Sequence, residues 1–306
     1  MTGNVEAASS ARCGIVALVG RANVGKSTLM NRLLGEKVSI VSPVAQTTRN
    51  LVRGILTEQR GQLVFLDTPG VHRARHDLGK LMNRIARASA QGADMTLLLV
   101  DVSSRPREED TGWMRKLIKA KAPCIVACNK SDLGGGQGDE YREAWKALAE
   151  DAAGGAAQLW LNISALTGRG VDELLDALFE SAPPGPALFP EDVLTDFPRN
   201  WAIADIVREK LFALLREELP HAVAVRVDAV EEREGAWSVK ADILVDKPSQ
   251  KAIVIGNKGR VLRTVRRQAE AELSEMYERK VALNLWVKVQ KHWAKNHWTL
   301  KQLGYV

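Results

Sequence analysis

Eight residues near the N-terminus have the types and spacing of a phosphate-binding loop. They read GRANVGKS from Gly20 to Ser27, which fits GxxxxGK followed by Ser or Thr. Glycines let backbone N–H groups turn inward around a β-phosphate, and the start of a following helix adds partial positive charge. We expect Lys26 to reach the β- and γ-phosphates and the Ser27 hydroxyl to ligate Mg²⁺. The predicted nucleotide contacts in this region are Gly20, Arg21, Ala22, Asn23, Val24, Gly25, Lys26, Ser27 and Thr28.

A second motif, DTPG, extends from Asp67 to Gly70 and directly follows an apolar run. An aspartate at the end of such a strand can hold Mg²⁺ through water, and the Gly70 N–H can contact a γ-phosphate. DTPG alone is an ordinary turn, but its position downstream of the phosphate-binding loop favours the functional interpretation. Thr68 and Pro69 are therefore included among the predicted nucleotide contacts.

A third motif, NKSD, extends from Asn129 to Asp132. The Asp132 carboxylate can accept hydrogen bonds from the N1–H and the exocyclic amine of guanine, a donor pair that adenine lacks. Because an unpaired buried carboxylate is costly, this motif favours GTP over ATP. Lys130 is expected to pack its stem along the base, with Ser131 inside the same motif. Ser164 and Ala165 follow a later apolar run and are predicted to contact guanine O6 through their backbone.

Between the phosphate-binding loop and DTPG lies QTTR, residues 46–49. A threonine hydroxyl there would complete the coordination of Mg²⁺ when GTP is bound. Thr48 is the first choice and Thr47 the alternative, while a third interpretation leaves both threonines simply solvated. The predicted catalytic groups are thus Lys26, Thr48 and Gly70, and the predicted Mg²⁺ ligands are Ser27, Thr48 and Asp67.

Together these motifs form the signature set of a GTPase. Many GTPases place a water-orienting glutamine directly after the DTxG glycine. Val71 occupies that position here, so the chain resembles GTPases with a hydrophobic residue at this site, and slow hydrolysis is expected unless a partner or K⁺ helps. In some of those relatives an asparagine placed like Asn23 binds K⁺, which implies the same role here. The alternative is that Asn23 only hydrogen-bonds within the loop.

The C-terminal part of the chain contains a fourth motif, GNKG, from Gly256 to Gly259. GxxG is a weak pattern alone, but here two predicted strands precede it and one follows, as in KH domains of the prokaryotic type. In KH domains this loop clamps about four single-stranded nucleotides. The predicted RNA contacts lie in the loop and the basic segment behind it: Gly256, Asn257, Lys258, Gly259, Arg260, Arg263 and Arg267, with Arg266 close by.

Alternating apolar runs and helical patterns must position the first three motifs. Strands are predicted at 15–19, 51–56, 63–66, 95–100, 124–128 and 159–163, and helices at 28–34, 78–91, 108–121, 140–151 and 171–180. This alternation predicts an α/β domain with a mostly parallel sheet and helices on both faces.

The pattern breaks at residues 181–198, which carry five prolines and are predicted to form a semi-rigid linker. An α+β arrangement follows, with helices predicted at 203–215, 249–254 and 260–277 and strands at 222–230, 237–245 and 281–289. The predicted domains are a flexible N-terminus at 1–12, a GTPase domain at 13–181, a linker at 182–199 and a KH domain at 200–306.

Basic charge is concentrated at the C-terminal end. Residues 247–306 contain 13 Lys and Arg against 4 Asp and Glu, whereas residues 181–246 contain 7 against 13. This balance indicates a polyanionic partner, although a solvated basic face would look the same. His292, Trp293, His297 and Trp298 interleave with lysines there, so the tryptophans either stack on bases or pin the last helix to the domain core. The histidines lack acidic or cysteine partners, so no metal site is predicted among them.

The remaining composition favours a cytoplasmic protein. No apolar run approaches the ~20 residues needed to span a bilayer, and the first 12 residues do not resemble a signal peptide. Cys13, Cys124 and Cys128 are read as buried thiols in a reducing compartment.

The order of QTTR, DTPG, NKSD, a proline-rich linker and a KH motif resembles the Era family of bacterial GTPases. The segment REKLFALLREELPHAV and the ending LGYV are also similar to that family, and Ala22 departs from it where many members have proline. The resemblance covers residues 12–306. It implies a monomer that binds GTP and GDP with Mg²⁺, binds the 3′ end of small-subunit ribosomal RNA and assists assembly of the small ribosomal subunit. It also implies peripheral association with the inner membrane surface.

The first interpretation is an enzyme used as a switch, in which GTP binding orders residues near Thr48 and Gly70 and so changes the affinity for RNA. Two other functions remain open at this point. The chain could be a constitutive RNA-binding protein whose GTPase domain is mainly structural, or a membrane-associated signalling GTPase. A tandem-GTPase relative is excluded because GxxxxGKS occurs only once.

Overall fold

The computed structural model describes residues 11–44, 47–70, 77–120, 123–134, 136–151 and 158–305. The chain divides into two compact units. Unit 1 comprises Met1–Ser39 and Thr48–Asp196, and unit 2 comprises Ile40–Thr47 and Phe197–Val306. Val71 and Gln46, which the sequence interpretation singled out, lie outside the described residues.

Unit 1 contains a six-stranded sheet in the order β2-β3-β1-β4-β5-β6. Only β2 runs antiparallel to its neighbour, and the other pairs are parallel, which confirms the predicted fold class. The strands are β1 (Arg12–Val19), β2 (Val52–Glu58), β3 (Gly61–Asp67), β4 (Met95–Asp101), β5 (Cys124–Asn129) and β6 (Gln158–Asn162). Every residue of β4 and β5 is buried, as the nearly continuous apolar runs predicted.

In the part of unit 1 that the structure describes, five helices accompany this sheet: α1 (Lys26–Leu34), α2 (Asp77–Gln91), α3 (Glu108–Ala120), α4 (Gly138–Asp151) and α5 (Val171–Ser181). Their bounds lie within two residues of those predicted from the sequence. The start of β1 differs more, because Arg12 pairs with Gly61 and donates its N–H to the Arg60 carbonyl. Arg12 therefore belongs to the sheet rather than to a flexible N-terminus.

The proline-rich segment after α5 contains no helix or strand, as predicted, but it is held against unit 1. The Ile55 N–H donates to the Leu194 carbonyl at 2.8 Å, and the Thr195 hydroxyl donates to the Arg53 carbonyl at 2.6 Å. The buried Gln62 side chain bonds to the backbone of Leu188 and Phe189. The part up to Asp196 is therefore a strap on β2 and β3. The prediction of a semi-rigid linker was wrong for it, because composition does not reveal these partners.

Unit 2 contains a three-stranded sheet in the order β7-β8-β9, in which β7 and β8 are antiparallel and β8 and β9 parallel. Its elements are α6 (Arg199–Leu214), α7 (Leu219–Ala222), β7 (Ala224–Arg233), β8 (Ala236–Val245), α8 (Pro248–Ile255), α9 (Arg260–Met276), β9 (Lys280–Val289) and α10 (His297–Gln302). The α+β arrangement is confirmed. No bounds were predicted for the short helices α7 and α10, because four and six residues carry too little periodicity.

Unit 2 also includes a segment from between α1 and β2. Ile40 lies in the unit 2 core with residues of α6, and Val44 packs against that core. The buried Arg208 guanidinium donates to the Thr47 carbonyl at 2.7 Å, and Glu209 accepts from the Val41 N–H at 3.1 Å. Residues 40–47 thus belong to unit 2, whereas the sequence analysis placed them in the predicted GTPase domain at 13–181.

Among the residues that the structure describes, no helix is both long enough and apolar enough to cross a membrane. All three cysteines are free and buried, in agreement with the sequence interpretation.

Candidate nucleotide and RNA sites

The phosphate-binding loop joins β1 to α1, which is the strand–loop–helix context that its motif requires. Gly25 caps the N-terminus of α1, so the helix start faces the loop. The Lys26 ammonium donates to the carbonyls of Gly20 and Arg21 at 3.3 and 3.0 Å. Burial lowers the pKa of Lys26 to about 8, although the negative charge of Asp67 acts in the opposite direction and raises it. A phosphate group would supply the counter-charge that this buried ammonium otherwise takes mainly from Asp67.

Three oxygen-bearing side chains meet beside this loop. The Ser27 hydroxyl lies 2.6 Å from Asp67 Oδ2 and 2.9 Å from Thr48 Oγ1, and Thr48 Oγ1 lies 3.4 Å from Asp67 Oδ2. Ser39 adds a fourth oxygen, donating to Asp67 Oδ2 at 2.8 Å. Sequence reasoning missed Ser39, because a lone serine outside a motif gives no signal.

This cluster fits Mg²⁺. Asp67 is fully buried, and within the described part of the chain its Oδ1 has no hydrogen-bond partner. Burial raises the pKa of Asp67, while Lys26 and the three hydroxyls lower it. Mg²⁺ prefers carboxylate and hydroxyl oxygens and keeps several of its waters. Ser27, Thr48 and Asp67 would hold the ion, which supplies charge for phosphate binding.

The two candidate threonines differ in their contacts. Thr48 Oγ1 belongs to the oxygen cluster, whereas Thr47 Oγ1 donates to the Val44 carbonyl at 2.6 Å. The geometry favours Thr48, as the sequence interpretation did. Gly70 lies against the phosphate-binding loop, since a Cβ added there would meet Ala22 Cα at 2.6 Å. The preceding Thr68 is buried and donates to the Leu18 carbonyl at 2.7 Å, which anchors DTPG before Pro69.

The NKSD motif is tied to both the phosphate-binding loop and the segment after β6. The buried Asn129 side chain donates to the Val24 carbonyl at 2.7 Å and accepts from the Ala165 N–H at 2.9 Å. Ser131 donates to the Ile163 carbonyl at 2.8 Å, and Ser164 is fully buried. A guanine contact from the Ala165 N–H would have to share or replace its bond to Asn129.

Asp132 is exposed and therefore open to a ligand at the edge of the sheet. The neighbouring Lys130 extends its ammonium to Asp101 Oδ2 at 2.8 Å. Asp132 thus offers an exposed carboxylate that could accept hydrogen bonds from guanine. The aliphatic stem of Lys130, held in place through its ammonium, could pack along the base. Their role remains a prediction.

Asp101, at the end of β4, links the phosphate-binding loop to the NKSD motif. Its Oδ2 also lies 3.3 Å from Arg21 Nη2, and its Oδ1 accepts from both the N–H and the hydroxyl of Ser103. Burial alone would raise the pKa of Asp101, but hydrogen bonds from Lys130 and Ser103 lower it below its ordinary value. The Asp101 carboxylate therefore holds the side chain of Lys130 and the side chain of Arg21, a residue of the phosphate-binding loop, at the same time.

Arg21 makes further contacts in this buried network. It pairs with the fully buried Asp110 at 3.2 Å and donates to the Ser104 hydroxyl at 2.8 Å. Although burial opposes its charge, Asp110, Tyr141 and Asp101 raise the pKa of Arg21. The Arg21 side chain thus anchors the loop inside unit 1, and only its backbone lies in the phosphate-binding loop. The one sequence signal for Asp101 was its charge at the end of an apolar strand.

The GNKG loop of unit 2 lies between α8 and α9. Gly256 ends α8 with φ +74°, and an added Cβ there would meet Val261 Cγ2 at 2.5 Å. Lys258 has φ +49°, an uncommon conformation for a residue with a side chain. Asn257 and Lys258 are exposed at the tip, and Gly259 precedes α9.

Basic side chains continue from this loop along α9. Arg260, Arg263 and Arg267 are exposed and spaced by three and four residues, so they share one helix face. Arg266 is exposed as well. The loop and this face provide close backbone approach together with positive charge, which is what an RNA backbone requires.

The two C-terminal tryptophans have different environments. Trp293 is buried, and its indole N–H donates to the Ala222 carbonyl at 3.0 Å. Trp298 is 72% exposed, and the Lys301 ammonium lies 5.8 Å from its ring centroid. Trp293 therefore pins the C-terminal segment to unit 2, while Trp298 remains available for stacking.

Curated proteins named GTPase Era match nearly the whole chain. Era from Lacticaseibacillus paracasei is 42% identical over 293 residues, covering 95% of this chain and 96% of the relative. Era from Geotalea uraniireducens is 42% identical over 299 residues, with 96% and 98% covered. The chain belongs to the Era family of GTPases.

Other comparisons agree with Era membership for both units. Residues 15–130 match the family described as 50S ribosome-binding GTPase, and residues 218–294 match the KH domain family. A crystal structure of Era in complex with MgGDPNP and nucleotides 1506–1542 of 16S ribosomal RNA is 37% identical, with a TM-score of 0.89 and 97% and 99% of the chains covered. Aquifex aeolicus Era bound to GDP and AlF₄⁻ is also 37% identical, with a TM-score of 0.88 and 96% and 99% covered.

Proposed function

We propose that this chain is a cytoplasmic GTPase switch that binds the 3′ end of small-subunit ribosomal RNA and assists assembly of the small ribosomal subunit. In this proposal, the exchange of GTP for GDP changes the affinity for RNA. The observation that supports the proposal is the presence of two candidate sites in one Era-family chain. One is the oxygen cluster of Ser27, Thr48 and Asp67 beside the phosphate-binding loop. The other is the exposed GNKG loop with its arginine-bearing helix.

The residues of unit 1 divide the work on GTP. Lys26 and the start of α1 bind the phosphates, and Gly70 lies where its N–H could contact the γ-phosphate. Bound Mg²⁺ would neutralise charge that develops on the phosphates during hydrolysis. Asn129 holds the phosphate-binding loop and the guanine-binding segments together. Asp132 selects guanine, and Asp101 holds Lys130 beside it.

RNA binding is assigned to the Asn257–Lys258 tip and to Arg260, Arg263 and Arg267. Replacing both Asn257 and Lys258 by Asp would put two carboxylates where phosphates approach, so repulsion would replace attraction. RNA affinity should fall at least ~100-fold at fixed salt, estimated from the loss of a cationic contact and the gain of two repulsive ones.

The matched control is Glu275→Asp, a side-chain change at an exposed position farther along α9. Binding would be measured by titrating a labelled RNA of the 3′-end sequence into wild type, the loop variant and the control. GTP affinity should be the same in all three proteins. Unchanged RNA affinity in the loop variant would eliminate the assignment of the RNA site.

We also propose that K⁺ assists hydrolysis through Asn23, an exposed residue of the phosphate-binding loop with φ +63°. Its support is the family resemblance and the position of Asn23 in the loop. Hydrolysis rates in K⁺ and Na⁺ at equal ionic strength test this role. Wild type should hydrolyse GTP faster in K⁺ than in Na⁺, whereas Asn23→Ala should show no such difference. Equal wild-type rates in both salts would refute the proposed role of K⁺. Peripheral binding to the inner membrane surface is proposed from the resemblance alone, and vesicle sedimentation tests it.

A further inference from the structure

The unit 2 sheet presents two faces with different chemistry. Residues of β9 alternate, so Val281, Leu283 and Val287 pack into the core that holds the helices. Trp286 and Lys288 therefore point to the opposite side, which we call the open face. Trp286 is 67% exposed, which is unusual for the largest apolar side chain.

Hydrogen bonds connect α10, the helix that carries Trp298, to the same side of the sheet. Asp242 is aligned with Trp286 in the β8–β9 register and accepts from Lys288 at 2.7 Å and Arg226 at 2.8 Å. Arg226 also donates to Gln302 of α10 at 3.0 Å. Trp298 lies four residues before Gln302 and thus on the same helix face. Arg226 and Gln302 therefore bring Trp298 to the open face that carries Trp286.

The charge of this region is one-sided. Residues 280–306 contain five lysines and no Asp or Glu. Carboxylates on or beside the open face are paired with cations: Asp242 is buried between Arg226 and Lys288, Asp228 pairs with Arg226, and Glu231 pairs with Lys240. Each exposed tryptophan has a lysine beside it, with Lys288 two residues along β9 from Trp286 and Lys301 near the Trp298 ring.

We propose that Trp286 and Trp298 form a second RNA-binding surface, on which single-stranded bases stack while Lys288 and Lys301 contact phosphates. Separated aromatic rings with interleaved lysines suit nucleic acid, because each base offers a stacking face and each phosphate a negative charge. A membrane or an apolar protein surface would favour a contiguous apolar patch instead. β9 is an edge strand. In this proposal, RNA that is longer than the GNKG loop can clamp continues past this edge to the open face.

This surface rests on the proposed RNA-binding function but uses residues outside the GNKG loop. The test compares an RNA of about six nucleotides, enough for the loop, with one of about twenty. Replacing both tryptophans by Leu keeps apolar bulk but removes the rings, and replacing both by Phe keeps the rings. Leu214→Ala, an exposed apolar residue on α6, is the control for general surface effects.

The Leu variant should bind the short RNA like wild type and the long RNA at least about tenfold more weakly, since stacking of one base contributes about a factor of ten. The Phe variant should retain most of the long-RNA affinity. Photocrosslinking of iodouracil-substituted long RNA should reach peptides containing Trp286 or Trp298. Both exposed side chains can be changed without disturbing the core.

Equal long-RNA affinity of wild type and the Leu variant would overturn the proposal. It would also be overturned if the Leu variant lost affinity equally for both RNAs, or if it lost binding to anionic phospholipid vesicles while keeping its long-RNA affinity. Failure of wild type to bind either RNA would instead refute the RNA-binding function itself.

Discussion

Replacing Asp101 by Asn tests how unit 1 couples guanine recognition to the phosphate-binding loop. The change preserves shape but removes the charge that holds Lys130 at 2.8 Å and Arg21 at 3.3 Å. A hydrogen bond to a charged group contributes about 1.5–3 kcal/mol. Part of this is lost to solvent because the Lys130 side chain is 31% exposed, while that of Asp101 is 7% exposed.

We therefore expect Asp101→Asn to lower the free energy of unfolding by about 1–2 kcal/mol. GDP affinity should fall about tenfold, because Lys130 would no longer be held beside the base and 1.4 kcal/mol corresponds to a factor of ten. Isothermal titration with GDP and urea unfolding measure the two effects. Asp176→Asn is the matched control, because it removes the same charge from an exposed pair with Arg60 and should change stability by less than about 0.5 kcal/mol.

The pH dependence of the stability difference follows from the lowered pKa of Asp101. A carboxylate whose folded pKa lies below its unfolded value of about 3.9 contributes its full stabilisation above that value. The contribution is lost as pH falls through the folded pKa. The difference in free energy of unfolding between wild type and Asp101→Asn should thus be constant from about pH 5 to 8 and shrink below about pH 4.

Unchanged GDP affinity of Asp101→Asn alongside reduced stability would refute the positioning of Lys130 by Asp101.

Three further changes test other parts of the molecule. Asp132→Asn should weaken GTP binding about 100-fold and admit xanthine nucleotides, because the amide reverses one hydrogen bond to the base; retained GTP preference in a direct titration would count against this. Arg208→Met should lower the free energy of unfolding by about 3–5 kcal/mol, because it leaves the carboxylate of Asp205 without its guanidinium partner. Tyr305→Phe removes the hydrogen bond that the Tyr305 hydroxyl accepts from Arg208 and should cost about 1 kcal/mol. Equal losses in the two variants would contradict the buried ion pair. Burial raises the pKa of Cys124 to about 12 and of Cys128 to about 11, so neither thiol should react with iodoacetamide at pH 7.5 until urea unfolds the protein, as mass spectrometry would show.

Local patterns predicted much of the fold, and they selected residues that the structure brings together at each candidate site. Apolar runs gave β4 and β5, because strands buried on both faces admit few polar residues. The phosphate-binding loop was predictable because its glycines and its lysine lie within eight residues. Thr48 was preferred to Thr47 from the sequence, and the structure places its hydroxyl beside Ser27.

Contacts between distant parts of the chain were not predictable. Asp101 contacts Arg21 and Lys130, which lie 80 and 29 residues away, and an isolated aspartate gives no sign of such partners. The strap at residues 188–196 was taken for a linker because proline content reports backbone stiffness but not its hydrogen bonds. Trp293 and Trp298 looked alike in sequence, and only their packing separates a buried anchor from an exposed ring.

The most direct test of the central claim is RNA affinity measured with a GTP analogue and with GDP, at fixed salt and Mg²⁺. The chain is proposed to be a switch, so the nucleotide at the oxygen cluster of Ser27, Thr48 and Asp67 should change affinity for 3′-end RNA by about 5–150-fold. Because linkage is reciprocal, RNA should change the ratio of GTP-analogue to GDP affinity by the same factor. Equal RNA affinity in the two nucleotide states would contradict the switch.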